Sequence, residues 1–101
     1  MKALFICNQN KNRSKTAEEI FKDKFETKSA GLFNDKPVTK NHLEWADTVF
    51  VMEDSQRSEI AARFPSEYMK KRILCLNIPD IYDYNQPQLI FALKKQMKKL
   101  F

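Results

Sequence analysis

Residues Cys7 to Ser14 read Cys-Asn-Gln-Asn-Lys-Asn-Arg-Ser. The apolar run Ala3-Leu4-Phe5-Ile6 leads into this stretch, and a helical pattern from Lys15 to Phe25 leads out of it. It is therefore a strand-to-helix turn, with a thiol at its start and a guanidinium six residues later. A sulfur at a helix N-terminus meets free backbone N–H groups and a dipole that favours negative charge. A cysteine in such a place can become a thiolate nucleophile. An arginine that closes the same loop can grip two phosphate oxygens in its fork. Together these features suggest a site that attacks a phosphate ester.

The rest of the chain alternates around that turn. Leu4 to Cys7 is a short continuous apolar run, as a buried parallel strand requires. Ser14 is placed to cap the next helix, with Glu18 and Glu19 in its opening turns. Ala17, Ile20, Phe21 and Phe25 recur at helical spacing. Glu26 to Ala30 reads as a second strand, ending at Gly31, the only glycine. Leu32 to Pro37 is a loop. Val38 to Trp45 reads as a short helix capped by Thr39, and Thr48 to Met52 as a β-branched, apolar third strand. Glu53 to Phe64 is helical, and Pro65 stops it. Ile73 to Leu76 is a fourth strand and Asn77 to Gln86 a loop. The last helix has Pro87 in its first turn and buries Leu89, Ile90, Leu93 and Met97, with Leu100 at its end.

Such alternation predicts an α/β fold, with a parallel sheet and helices on both faces. Ligands of such sheets bind outside the carboxyl ends of the strands. Cys7 lies at that end of the first strand, and 77–84 lies at that end of the fourth. The two segments can therefore share one site.

At 101 residues the chain is read as one domain, 1–101. No apolar run reaches the roughly 18 residues that a membrane span needs. The first six residues have too short an apolar core and no cleavage site for a signal peptide, so the expected location is the cytoplasm. Cys7 and Cys75 are too few for a disulfide framework and read as free thiols. The net charge of +5 rests largely on Lys94, Lys95, Lys98 and Lys99, on one face of the last helix. That cluster reads as a solvated face rather than a nucleic-acid site, with no interleaved aromatic platforms. The sequence specifies no oligomeric state.

A phosphate ester also needs a proton donor for its leaving group. Asp80 and Asp83 are the candidates, and spacing alone does not separate them. Tyr82 and Tyr84 can wall the pocket. Cys75 reads as core, His42 as a surface or capping residue, and Glu53 and Asp54 as partners of a helix dipole.

Cys-x5-Arg-Ser after an initial strand resembles the phosphate-binding loop of the low-molecular-weight protein tyrosine phosphatases. The likeness continues in the family's order through Thr16-Ala17-Glu18-Glu19-Ile20-Phe21, Ser29-Ala30-Gly31, Val51-Met52-Glu53-Asp54-Ser55 and Ile78-Pro79-Asp80-Ile81-Tyr82. The chain is shorter than typical members, and much of the loss falls between Gly31 and Val38. Gln9 replaces the usual loop glycine, Asn12 the second loop cysteine, and Ile81 the proline after the acid. With its Ile-Pro-Asp-x-Tyr ending, the chain is identified as a member of a branch of short predicted tyrosine phosphatases.

The resemblance implies a three-layer sandwich with a four-stranded parallel sheet in the order 2-1-3-4. It implies that Cys7 forms a phosphocysteine, Arg13 binds the phosphate and Ser14 assists the departing thiolate. Asp80 would be the acid, then the base that activates water. Asn10 would hold the loop open through its backbone. Asn8, Gln9, Asn10, Lys11 and Asn12 would bind the phosphate and Tyr82 the leaving group, with no metal or organic cofactor. The implied partners are a phosphorylated protein or a small phosphomonoester, with no membrane. Two other functions fit parts of the pattern. One is a non-catalytic module binding phosphate or nucleic acid. The other is an arsenate reductase, which needs further cysteines beyond Cys75.

Overall fold

The computed structural model describes residues 1–100. Four strands, β1 (Lys2–Cys7), β2 (Glu26–Gly31), β3 (Thr48–Val51) and β4 (Arg72–Cys75), form one sheet in the order β2-β1-β3-β4. Every pairing is parallel, with Ile6 level with Ala30 on one side and Val51 on the other, and Val51 level with Cys75. This is the sheet and the strand order that the sequence resemblance implied.

Alternation along the strands divides the core. Ala3, Phe5 and Cys7 face one side with Phe50 and Met52, under α1 (Arg13–Phe21) and α5 (Pro87–Leu100). Leu4, Ile6, Val49 and Val51 face the other side, under α2 (Lys40–Trp45), α3 (Asp54–Arg63) and α4 (Pro65–Lys70). Helices thus cover both faces, so β1 and β3 are apolar almost throughout. Phe5 stacks between Phe21 and Phe50, with ring centroids at 5.7 and 5.1 Å. These contacts pin α1 to the sheet directly behind the Cys7 turn.

Several boundaries differ from expectation. α1 begins at Arg13 and ends at Phe21, where the carbonyl of Phe21 accepts the amides of Lys24 and Phe25 in a turn. Ser14 is consequently not the cap. It lies inside the first turn, and the cap position belongs to Asn12, which makes no side-chain capping bond. Pro65 does end α3, because the residue before a proline avoids helical geometry. Phe64 takes φ −133°, ψ 63°. But proline suits a first helical position, so the chain restarts as α4, which the sequence reading missed. On α5, Leu89, Leu93 and Met97 are buried, whereas Ile90 is half-buried.

α2 carries a reciprocal cap. Thr39 Oγ1 accepts the His42 amide at 3.2 Å, and His42 Nδ1 accepts the Thr39 amide at 3.0 Å. Burial pushes the His42 pKa below its ordinary value, and the positive charge of Lys28 adds to this. The folded state therefore favours the neutral ring, and protonation removes the acceptor. The folded pKa lies below the unfolded one, so the unfolded chain binds the proton first as pH falls. The cap's contribution is present above about pH 6.5 and lost below it. Acidifying from about pH 7.5 to 5.5 is expected to cost up to about 1 kcal/mol, seen as a fall in Tm. His42→Gln keeps an acceptor for the Thr39 amide and should show a smaller fall over the same range. An equal fall in both proteins would contradict this.

Candidate active site

The turn after β1 brings a thiol, a hydroxyl and a guanidinium into one buried group. Cys7 and Arg13 are each 2% exposed, and Ser14 is fully buried. Cys7 Sγ lies 2.9 Å from Ser14 Oγ. Ser14 Oγ in turn donates to Asn10 Oδ1 at 2.7 Å. Asn10 has φ 54°, in the left-handed region that asparagine tolerates better than most residues. The chain reverses there and returns to start α1. Gln9 is not among the residues with positive φ, so its Cβ meets no backbone strain. No amide of residues 9 to 15 donates to another backbone group among the described residues. These N–H groups are left without backbone acceptors, as the free amides of an anion cradle at a helix N-terminus are.

Arg13 is fixed from behind. Its Nη1 donates to Glu53 Oε2 at 2.8 Å and to the carbonyl of Ile78 at 2.7 Å. Nε faces Asp80 Oδ1 at 3.8 Å. Both protein bonds thus leave from one nitrogen, so the edge formed by Nε–H and Nη2–H is left for ligand oxygens. Asp80 is 63% exposed at the mouth, beside a buried charge. Asp83 sits farther along the loop. Its amide donates to Gln86 Oε1 at 2.9 Å in the turn before α5.

Glu53 was expected only as a dipole partner, but it is one of the two acids on Arg13. Gln56, which the sequence reading did not single out, ties the arrangement together. Its buried Oε1 accepts the Met52 and Glu53 amides at 2.7 and 3.0 Å. Its Nε2 donates to Asn8 Oδ1 at 3.1 Å. The start of α3 is thereby strapped to the turn after β1. Glu53 follows β3 at the same sheet edge as Cys7, and that position was the available signal.

Gly31 supports the loop by close approach. A Cβ there would overlap Asn34 Oδ1 and lie 2.8 Å from Asn34 Cγ and 3.0 Å from the Asn8 carbonyl. That carbonyl accepts the amides of Leu32 and Phe33 at 3.0 and 2.9 Å.

Of the remaining candidates, Gln9 and Lys11 are exposed and Asn8 and Asn12 half-buried. Tyr82 packs against the core beneath α5 and lines a groove with Pro87 and Phe91. No hydrogen bond or ring contact joins it to residues 7–14 among the described residues. Cys75 was expected in the core but is half-buried, with Sγ 3.3 Å from Asn77 Oδ1. Burial pushes its thiol up, partly offset by a backbone hydrogen bond at Asn77. Cys7 and Cys75 lie on opposite faces of the sheet, two strands apart. Two strand spacings are roughly 10 Å, against about 7 Å for the longest Cα separation that a disulfide bridges. This arrangement does not serve the thiol relay of an arsenate reductase. Among the described residues, no group of three His, Cys, Asp or Glu could hold a metal ion, and no helix is long and apolar enough to cross a membrane.

No protein-family model matches the sequence, and no curated protein matches it significantly. Solved structures do match. The tyrosine phosphatase Wzb from Escherichia coli K30, in complex with phosphate, aligns with TM-score 0.80 at 19% identity, covering 98% of this chain and 94% of that one. A low-molecular-weight protein tyrosine phosphatase from Bacillus subtilis aligns with TM-score 0.74 at 23% identity, covering 98% of both chains. The fold is that of the low-molecular-weight protein tyrosine phosphatases. A YwlE arginine phosphatase mutant with phosphorylated active site serine shares it, with TM-score 0.79 and 20% identity over 99% of this chain and 93% of that one. In this low-molecular-weight phosphatase fold, Cys7, Arg13 and Asp80 meet at the carboxyl edge of the sheet, where parallel sheets bind ligands.

Proposed function

We propose that the chain is a cysteine-dependent phosphatase that hydrolyses phosphate monoesters, with protein phosphotyrosine as its substrate. The observation that carries this reading is the convergence of two segments far apart in sequence. Cys7, Ser14 and Arg13 come from the turn after β1, and Asp80 from the loop after β4, 3.8 Å from Arg13 Nε.

The phosphoryl group lies on the loop amides of Asn8 to Ser14, with the free edge of Arg13 on two of its oxygens. Cys7, as the thiolate, attacks phosphorus through Sγ opposite the ester oxygen. As the P–O bond breaks, Asp80 gives its proton to that oxygen, and phosphocysteine remains. Asp80, now a carboxylate, takes a proton from water as the water attacks phosphorus. The P–S bond breaks and the thiolate returns.

Ser14 has one proton for two neighbours. With Cys7 as thiol, S–H donates to Ser14, and Ser14 donates to Asn10. With Cys7 as thiolate, the Ser14 proton turns to sulfur, and a rotated Asn10 amide donates to Ser14 instead. The network can therefore stabilise the departing thiolate without moving the backbone. A free thiol of this kind belongs in a reducing compartment, in line with the cytoplasmic expectation.

Related folds serve both arginine and tyrosine phosphatases. An aryl ester suits this mouth better, because Ile81, beside Asp80, is 73% exposed and offers an apolar rim. The phosphorylated serine of the YwlE mutant supports a covalent route.

The test is hydrolysis of an aryl phosphate and of phosphotyrosine and phosphoarginine peptides. Asp80→Asn should lower kcat by about 10² to 10⁴, and Asp83→Asn should change it little. If Asp83→Asn has the larger effect, the acid is misassigned. If the wild type hydrolyses none of these compounds, the reading fails.

A further inference from the structure

Two grooves open beside α5, away from Cys7. One, of about 540 Å³, runs from Ile78 and Pro79 past Tyr82 to Phe91 and Lys95. The other, of about 810 Å³, has Phe21, Phe25 and Met97 in its lining, with Lys94, Lys95 and Lys98 beside them. Phe91 and Lys95 line both, so the grooves adjoin at these residues. Phe91 is 69% exposed and extends the apolar lining of both grooves, so the apolar surface here is contiguous rather than a single stray side chain.

The charge is one-sided. Lys24, Lys94, Lys95 and Lys98 line the second groove against a single carboxylate, Asp23. None of Lys94, Lys95, Lys98 and Lys99 forms a salt bridge among the described residues.

We propose that this face of α5 docks an acidic segment, carrying an apolar or aromatic side chain, of the phosphoprotein whose phosphoryl group is held at Cys7. The proposal rests on the phosphatase reading and extends it to substrate choice. Continuity with the site supports it. The first groove is walled by residues 77–79, the segment whose Ile78 carbonyl holds Arg13 and which runs directly into Asp80. A peptide chain leaving the phosphate site past Asp80 meets an apolar groove and then the lysines.

The occupant follows from the lining. Apolar floors take side chains, and lysines at the rim take carboxylates. A nucleic acid would use the lysines and Phe91 alone, leaving Phe21, Phe25 and Met97 unused. The sequence reading found no aromatic residue among the lysines, but Phe91 stands beside Lys95. A single ring still lacks the succession of platforms that single strands require. Each exposed ion pair is weak, so selectivity arises from several pairs acting with one buried anchor.

The test needs no turnover. A fluorescein-labelled, unphosphorylated Glu/Asp-rich peptide with one central Phe is titrated into the full chain and followed by fluorescence anisotropy. A matched peptide with Lys in place of the acids serves as the comparison. The acidic peptide should bind about tenfold tighter than the basic one, and its affinity should fall with added salt. The Lys94→Glu/Lys95→Glu double variant should lose about tenfold in affinity for the acidic peptide. Phe91→Ala, which leaves the charge intact, should lose several-fold. Thermal melting of each variant verifies its fold. Equal binding of the two peptides, or unchanged binding in both variants, overturns the proposal. A single-stranded oligonucleotide that binds tighter than the acidic peptide and loses affinity in the same variants overturns it in favour of nucleic acid. Failure here with aryl phosphate turnover intact refutes docking alone, and docking without turnover refutes the phosphatase reading alone.

Discussion

Replacing Cys7 by serine should abolish hydrolysis of aryl phosphates while leaving the fold standing. The proposed mechanism uses one nucleophile. Cys7 sits at the end of β1, with its sulfur 2.9 Å from Ser14 Oγ. A serine hydroxyl fits the same space and keeps a hydrogen bond to Ser14. It does not ionise near neutral pH, and it is a poor leaving group from phosphorus in the second step. Loss of a covalent nucleophile costs about 10⁴ or more in kcat. Thermal melting should change little, because the partner for a polar atom is already present. A Cys7→Ser protein that turns over as fast as wild type would remove the mechanism altogether.

The second large effect belongs to Arg13, where activity and stability are linked. Arg13→Ala empties a buried site, takes the donor from the Ile78 carbonyl and unpairs Glu53. Breaking a fully buried pair costs about 3–5 kcal/mol. Glu53 is partly open to water, so a loss of about 2 kcal/mol is expected, which in a domain of this size lowers Tm by roughly 10 °C. Phosphate stabilisation goes as well, and kcat/KM should fall by about 10³ or more. Arg13→Lys separates the two effects. Its ammonium can restore part of the contact with Glu53, but it has no second edge to offer the phosphate. Stability should recover further than activity. Equal recovery of both would mean that Arg13 is a strut and not a ligand.

The sheet was readable because β1 and β3 are buried on both faces and must be apolar throughout. The order β2-β1-β3-β4 followed from the family likeness, whereas alternation alone gave only a parallel sheet. Pro65 marked a true break, but a proline that ends one helix can also open another. The five residues after it, Ser66-Glu67-Tyr68-Met69-Lys70, are too few to give α4 a helical period of its own. Ser14 illustrates a different limit. Its type suits a cap, yet its hydroxyl is engaged by Cys7 and Asn10, and the helix starts two residues earlier than expected, at Arg13. Glu53 and Gln56 were opaque because their roles depend on a partner forty or more residues away. Cys75 reads as core from its apolar neighbours, but β4 is an edge strand and leaves it half open.

The central claim is that Cys7 carries the phosphoryl group during turnover. Acid quenching of the wild-type protein within milliseconds of mixing with an aryl phosphate, followed by peptide mass spectrometry, tests it directly. The predicted result is one phosphoryl group on the peptide containing Cys7, absent when Arg13 or Cys7 is replaced. Turnover that proceeds with Cys7 unmodified at every quench time, or with the label on another residue, would contradict it.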